Sequence, residues 1–598
     1  MSDKEKKFSW KRFESVKFSG RDIGKRVRKM EKSSLRHARK FVTARLDRLS
    51  LVRRVVVGWI ALVLILAGVS ATQWFGFQQA YLTDAPATGG TYSEGVLGPL
   101  ESLNPIFARS SAERSAARLL FASLYTYDDT GHVKGDLARS VAISEDQTEY
   151  TVSLQPSLKW SDGAPLTAKD VVFTVNMLKN PAVRAEISGW TSIKAELVDA
   201  TTVKFVLPGA YAPFMHALTF PVLPEHVLAD VEPASLHEHD FSQHPVTSGP
   251  FALRLLQSAV SDGSKKVVHM VANPHYHRGA PKLERFQLYV YSTRDDIEQA
   301  LSTSEIMATP ELRFDARSDK IKTMYASESH AINNGVYALF NTNSELLREK
   351  DIRQALSLSV DRDKLIQSLS QSATSLDGPV LDRHTPDLPR APQQDVKKAQ
   401  ELLDQAGWRV NGTVRAKDGA ELSLRMVALQ GAGSTQTATE LAKLWQETLN
   451  IKVDVQMVDP LDSNQNVLQT VLQPRNFDIL IYELVLGGDP DSYAYWHSSQ
   501  ATPEGLNFSN YSSVVADDAL AGARTRTDTK YRDERYRVFA RRWLADIPAV
   551  ALYQPNIDYI HSKRTQTVDE QAVLVSAEDR YYNVIYWSVG TTRVYKTP

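Results

Sequence analysis

The 598-residue chain has no cysteine, which excludes a disulfide framework, a thiolate metal site and a catalytic thiol. The absence says little about compartment, because a large exported domain folds without disulfides when its core suffices. No phosphate-cradling glycine loop, G-x-S-x-G elbow or H-E-x-x-H helix occurs. Scattered carboxylates identify no glycosidase pair without geometry. Catalysis therefore has no positive support, and no cofactor is expected. His237-Glu238-His239-Asp240 with His244 has a metal-like composition, but Pro233 and Pro245 mark a solvated loop, and His275-Tyr276-His277 is read the same way. There is no internal repeat.

Net charge is also lacking, and this absence misleads. Of 70 Lys/Arg and 70 Asp/Glu, Met1–Arg54 holds 19 and 6, which leaves 51 and 64 beyond it. A basic tail precedes an acidic body. Between them Val55–Phe77 carries no charged residue for 23 positions, enough to cross ~30 Å of hydrocarbon at ~1.5 Å per residue. Arg53 and Arg54 abut its front, and Trp74, Phe75 and Phe77 stand at its far end as interfacial anchors. The positive-inside rule puts residues 1–54 in the cytoplasm and the bulk of the chain outside, as a single-pass cell-membrane protein held in the lipid bilayer by Val55–Phe77. Val69-Ser70-Ala71 resembles a cleavage site, but the long n-region and long span favour an uncleaved anchor. The tail is read as a topology and anionic-lipid element, and no nucleic-acid partner is expected.

Residues 78–90 form a linker, with Asp84–Gly90 suited to a flexible stalk. Beyond it strands and helices alternate, so the class is mixed α/β, and the length calls for at least two lobes. Thr148–Leu154 places Tyr150, Val152 and Leu154 on one face, the period of a half-buried strand, and Thr201–Leu207 and Glu284–Tyr291 read alike. Thr167 caps a helix with Asp170 three residues on, and Asn180-Pro181 stops it. A second helix runs Asp395–Ala406, with Gly407 at its left-handed stop.

Six segments, in order, resemble the large peptide-binding family of ABC-transporter solute-binding proteins. Leu137–Met177 contains W-S-D-G-A-P-L-T-A-K-D-V-V-F; Thr247–Phe251 reads T-S-G-P-F; Asn273–Tyr276 leads to a strand ending at Tyr291. Leu339–Thr342 runs through Asp351–Leu356 to Asp361-Arg362, a helix ends at Ala406-Gly407-Trp408, and Phe477–Asp491 reads FDILIYELVLGGDPD. The resemblance spans about 90 to 560. It implies an α/β, two-lobed Venus-flytrap fold of the periplasmic-binding-protein type, with lobe I at 88–320 and 551–598 and lobe II at 321–550. Pro548–Tyr553 would pass back into lobe I. It also implies a binding protein rather than an enzyme, with a peptide or peptide-like ligand and ABC-transporter permease subunits as partners.

Two stretches match the family's cleft backbone by position: Ala108, Arg109, Ser110 and Ser111, and Glu483, Leu484, Val485 and Leu486. Strand-addition physics would give them affinity for any extended peptide. The second stretch is read as lying just after a strand Phe477–Ile481. Relatives place an aspartate a few residues after that strand to pair with the ligand ammonium, and here Leu486 or Gly487 stands there. Asp489 and Asp491, flanking Pro490, fit a turn better, and Tyr493, Tyr495 and Trp496 either line the cleft or form core. Rival readings on the same fold are a sensor or pheromone receptor using the basic tail, and a surface hydrolase.

Overall fold

The computed structural model describes residues 46–258, 265–315, 317–429, 432–459 and 466–595. Most of the basic tail read at 1–54 therefore lies outside the described residues. The chain divides into two units, one ending at Ala85 and joined by residues from Thr592 onward, the other Pro86–Thr591.

In the first unit, helix α1 (Leu46–Tyr81) contains Arg53–Gln78, 26 residues of mean hydropathy 2.4 with none of its apolar window buried. Among the described residues it is the one helix long and apolar enough to cross a membrane. It is not the core helix of a soluble domain. The stretch read as a flexible stalk departs from that reading. Helix continues to Tyr81, and β1 (Leu82–Pro86) then pairs with the strand Thr591–Tyr595. Composition could not reveal a partner some 500 residues away.

The second unit opens with β2 (Thr91–Leu97) and α2 (Ser111–Leu120). A four-stranded antiparallel sheet follows, built from β3 (Ala138–Ile143), β4 (Glu149–Leu154), β5 (Lys194–Asp199) and β6 (Thr202–Val206), with α3 (Ala168–Lys179) between β4 and β5. Tyr150, Val152 and Leu154 are buried as their period predicts. Thr167 and Asp170 form the capping box, Asn180 ends the helix, and Gly163 takes φ +90° in the preceding turn. Next come β7 (Phe251–Ser258), β8 (Lys266–Ala272), β9 (Arg285–Tyr291), β10 (Ala308–Thr309) and β11 (Tyr325–Ala331). β9 and β10 lie parallel to β2 on either side of it.

The chain then builds a second lobe from β12 (Asn334–Phe340), α4 (Val396–Gln405), β13 (Ser423–Leu429), α5 (Ala432–Leu449), β14 (Lys452–Val458) and β15 (Ile479–Val485). Helices α6 (Val514–Arg524) and α7 (Thr529–Asp546) complete it. Asp395 caps α4 and Gly407 takes φ +89° beyond it. The sheet is covered on both faces, so its strands read as near-continuous apolar runs. Val336, Ala338, Ile479 and Ile481 pack with Leu356 and Trp445 on one face. Tyr337, Leu339, Leu480 and Leu484 pack with Phe539 and Trp543 on the other. Each fully buried aliphatic side chain contributes roughly 1.5–3 kcal/mol.

One strand serves both lobes. β16 (Ala549–Ser562) pairs with β12 from Ala549 to Tyr553 and with β11 from Asn556 to Ser562. Core membership changes at the same places, around 332–336 and 553–557. After β16 the chain returns to the first lobe and ends in β17 (Thr591–Tyr595).

The motif residues mostly tie the fold together. A Cβ on Gly249 would lie 2.6 Å from the Leu120 carbonyl carbon, and its N–H donates to Leu120 O at 2.8 Å. Asn273 Nδ2 donates to Gly249 O at 2.9 Å, which joins the second and third motif segments. The Arg353 guanidinium donates to the carbonyls of Asp546, Ile547 and Leu347, and so caps the end of α7. His277 is no solvated-loop residue: it is half-buried, 3.0 Å from Asp136, the carboxylate its approach helps to hold below its usual range.

Gly249→Ala is expected to destabilise the protein by about 1–3 kcal/mol, because backbone rather than a side-chain tip must move. Gly209→Ala, with nothing within 4 Å, should change stability by less than about 0.5 kcal/mol. Urea midpoints of the two variants provide the comparison, and equal losses would contradict the packing argument.

Candidate functional site

The two lobes meet along a polar seam at the C-terminal end of β15. The Gly487-Gly488 pair begins it. Gly487 takes φ +64°, and a Cβ on Gly488 would fall 2.5 Å from the Tyr127 ring and 2.7 Å from His216 Nδ1. Only glycine lets the second lobe's backbone come this close to the first. Tyr127 Oη and His216 Nδ1 are 3.1 Å apart. Farther along, the N–H of Ala212 donates to Arg524 O at 2.8 Å, and the Arg524 guanidinium lies over the rings of Tyr211 and Tyr493 at 4.8 and 4.4 Å.

Both carboxylates of the Asp489-Pro490-Asp491 turn are engaged by arginine. Asp489 accepts from Arg532 at 2.6 Å and lies 3.9 Å from His216 Nε2. Asp491 lies 3.0 Å from Arg524 Nε, and burial raises its carboxyl above the usual range. The turn expected from Asp489 and Asp491 is present, but it is a buried ion-pair turn. Each carboxylate therefore already has an arginine partner in its own lobe. This was hidden because Arg524 and Arg532 come from α6 and α7, far along the chain.

Asn333, just before β12, ties down the start of the seam. Its carbonyl accepts from the N–H of Leu486 at 2.8 Å, and its Nδ2 donates to Gly487 O at 2.7 Å and to His384 Nε2 at 3.1 Å. The Gly487 carbonyl fixes the amide orientation, so His384 must accept at Nε2 and therefore be neutral. Burial pulls the His384 pKa down to about 4, and that of His216 is lowered by the same cause.

Beside Tyr127 the first lobe opens a cavity of about 330 Å³, lined by Ala108, Arg114, Arg118, Tyr127, Glu578 and Asp579 among others. Its charges are matched: Arg114 lies 3.0 Å from Glu578, and Arg118 lies 3.7 Å from Asp579. Ala108 is thus on the wall. Arg109, Ser110 and Ser111 are more constrained than an open strand. The N–H groups of Arg109 and Ser110 donate to Glu113 at 2.8 and 3.1 Å in the capping box of α2, and Ser111 Oγ donates to Glu311 at 2.8 Å. Arg109 pairs with Glu186 at 2.6 Å.

The second stretch has the character of an open edge. The strand read as Phe477–Ile481 is Ile479–Val485, so Glu483, Leu484 and Val485 lie within it rather than after it. β13 pairs with β15 only at Ile479–Ile481, whereas β12 pairs with it as far as Val485. Among the described residues, Tyr482–Val485 has no β13 partner on that edge. Val485 is 62% exposed there, while the side chains of Leu484 and Leu486 are buried in the core. Glu483 accepts from Asn334 Nδ2 at 2.6 Å, and Tyr495 Oη donates to Val485 O at 2.9 Å.

Trp496 must be removed from the candidate lining. It is 1% exposed and packs edge-on against Tyr337 and Trp543. Tyr493 stacks on His497 at 4.0 Å and carries Arg524 on its ring. Sequence reasoning missed Tyr127, Tyr211, His216, Asn333, His384, Arg524 and Arg532. The adjacent glycines were the one available signal, since such a pair marks a close backbone approach.

The histidine-rich segment 237–244 forms short turns in which His244 lies 2.8 Å from Asp240 and His237 packs edge-on to Phe107. Among the described residues no three His, Cys, Asp or Glu side chains converge as a metal site.

A family model described as "bacterial extracellular solute-binding proteins, family 5 Middle" matches residues 132–505. The chain is 27% identical over 490 residues to the oligopeptide-binding protein AppA of Bacillus subtilis, covering 79% of this chain and 87% of that one. Its fold is similar to the solved structure of Bacillus subtilis AppA in complex with a nonapeptide, with TM-score 0.69, 23% identity, and 85% and 100% of the two chains covered. It is also similar to NikZ of Campylobacter jejuni in complex with Ni(L-His), with TM-score 0.67, 23% identity, and 83% and 99% covered.

Acid should loosen this seam. A histidine whose folded pKa lies below its free value of about 6.5 binds more protons when unfolded, so stability rises with pH between the two values. Between pH 6.5 and about 4, wild type should therefore lose stability on acidification, by on the order of 1–3 kcal/mol from His384. His384→Gln keeps an acceptor for Asn333 and removes the titration, so its urea midpoint should fall less steeply over that window. Parallel slopes would dismiss His384 as the cause.

Proposed function

The chain belongs to the family 5 bacterial extracellular solute-binding proteins, and we propose that it captures a peptide between its lobes for delivery to an ABC importer. The observation that carries this reading is the pairing of a closed polar seam with an open strand edge. Among the described residues Tyr482–Val485 has one edge without a β13 partner, and an extended peptide can add to such an edge through main-chain hydrogen bonds. The cavity beside Tyr127, about 330 Å³, is of the size that takes a side chain or small group, at the low end of ligand sites of about 300–1,000 Å³.

Closure supplies the signal. Tyr127, Tyr211 and His216 touch Gly488, Arg524 and Asp489 only across the seam, so those contacts report the closed state. A ligand held by both lobes biases the protein toward closure by its differential affinity for the two states. A permease that docks the closed form would then discriminate loaded from empty protein. The proposed binding wall comprises Ala108 with the exposed groups of Glu483 and Val485, while Asp489 and Asp491 hold the seam.

The same reading places α1 in the membrane. Its Arg53–Gln78 segment is apolar, unburied and preceded by a basic stretch, so it anchors the binding unit on the extracytoplasmic side. The tether then holds the binding unit at high local concentration beside its importer. Binding, not catalysis, is the role the family supports. NikZ holds a nickel–histidine complex on a similar fold, so ligand class must be measured.

A set of synthetic peptides two to nine residues long, tested by thermal shift against the purified protein, checks the proposal. A bound peptide at a hundredfold excess over its Kd should stabilise the protein by about 2.7 kcal/mol. Tyr127→Ala, which opens both seam and cavity, should weaken that peptide on the order of tenfold. No stabilisation by any peptide, with a shift from a metal chelate instead, would replace the ligand class.

A further inference from the structure

We propose that the strand Thr591–Tyr595 returns to the membrane and lies in the lipid headgroup layer against the outer end of α1. The inference rests on the reading of α1 as a membrane span. Two contacts place it. β17 pairs with β1, which leaves α1 directly after Tyr81, and the rings of Phe77 and Tyr595 meet edge-on with centroids 6.5 Å apart.

Depth follows from helix geometry. Starting at Val55, ~20 residues at ~1.5 Å each traverse ~30 Å of hydrocarbon, which brings Trp74, Phe75 and Phe77 to the far boundary. Tyr595 meets Phe77 and therefore shares that depth to within about a ring's width. Tyr595 is 68% exposed, and Trp74 and Phe75 are comparably bare. A cluster of bare aromatic rings is costly in water but suits the headgroup layer, where an amphipathic ring meets both phases.

Charge and stability point the same way. Asp84, the acidic residue of β1, lies 3.9 Å from Arg593, so the ladder meets anionic lipid without an unmatched negative charge. All five residues of β17 are exposed, and a lone two-stranded ladder is marginal in water. Lipid would supply the missing contact.

Because the chain has no cysteine, single substitutions give unique spin-label sites in the full-length protein. Labels would be placed by Val594→Cys, by Leu64→Cys at mid-span and by Val514→Cys, a position 85% exposed on α6. The protein is reconstituted in nanodiscs of phosphatidylcholine and phosphatidylglycerol, and collision with oxygen is compared with collision with a water-soluble nickel chelate. Position 64 should be accessible to oxygen and 514 to nickel, with 594 intermediate and its nickel collisions reduced roughly twofold relative to 514, as expected of the headgroup layer. Adding Tyr595→Asp should move 594 toward the value at 514. The proposal is overturned if 594 matches 514 while 64 lies in hydrocarbon, or if 594 is shielded from both reagents as in a protein contact. If 64 is itself in water, the anchor reading fails, and this inference with it.

Discussion

The strand β16 hydrogen-bonds to β12 over its first five residues and to β11 over its last seven, so neither lobe is complete without the other. This shared strand constrains any relative motion. The lobes cannot drift apart without breaking a ladder, and rotation must be absorbed where the partner changes, at Gln554–Asn556. Pro555 stands at that junction and has no N–H to contribute. Its carbonyl accepts from Ile332, and Gln554 Nε2 donates to the Ile332 carbonyl at 2.7 Å. The hinge is thus short and well bonded, which suits two defined states better than a continuum.

Away from the hinge, polar groups are distributed by what each must do. Deep in the first lobe Glu94 and Arg580 are fully buried 2.6 Å apart, with the hydroxyls of Tyr559 and Tyr581 donating to the same carboxylate. That network pins the segment after β16 onto β2, and its value is specificity of packing as much as energy. At the seam the same chemistry is split between lobes. Asp489 and Arg532 are partners within one lobe, while His216 approaches from the other. Keeping each charge matched within its own lobe means that opening exposes no lone buried ion. Closure then depends on weaker contacts, namely the Ala212 N–H, the rings on Arg524 and the Gly488 approach. Weak closing contacts leave the equilibrium within reach of a ligand's binding energy.

The matched charges also bear on ligand choice. Asp489, Asp491, Glu578 and Asp579 all have arginine partners, and Glu483 accepts from Asn334. Affinity would then come from main-chain hydrogen bonds and enclosure, a mode tolerant of side-chain identity. The first unit follows a parallel logic, in that an apolar helix is completed by a strand from the far end of the body.

What was legible in the sequence was local. The alternation of Tyr150, Val152 and Leu154, the Thr167–Asp170 capping box, the Gly407 stop and the charge-free run Val55–Phe77 each depend on neighbours within a few residues, and each appears where its pattern placed it. The family segments were legible too, though Gly249, Asn273 and Arg353 prove to be fastenings of the fold rather than parts of the site. What only the tertiary structure decided was every pairing between distant residues. Trp496 went to the core, β1 found β17, Asp489 found Arg532, and His277 found Asp136. Periodicity and capping are short-range steric and hydrogen-bonding rules, so they are written in neighbouring residues. Partners brought together by two lobes folding around one strand leave no trace in spacing.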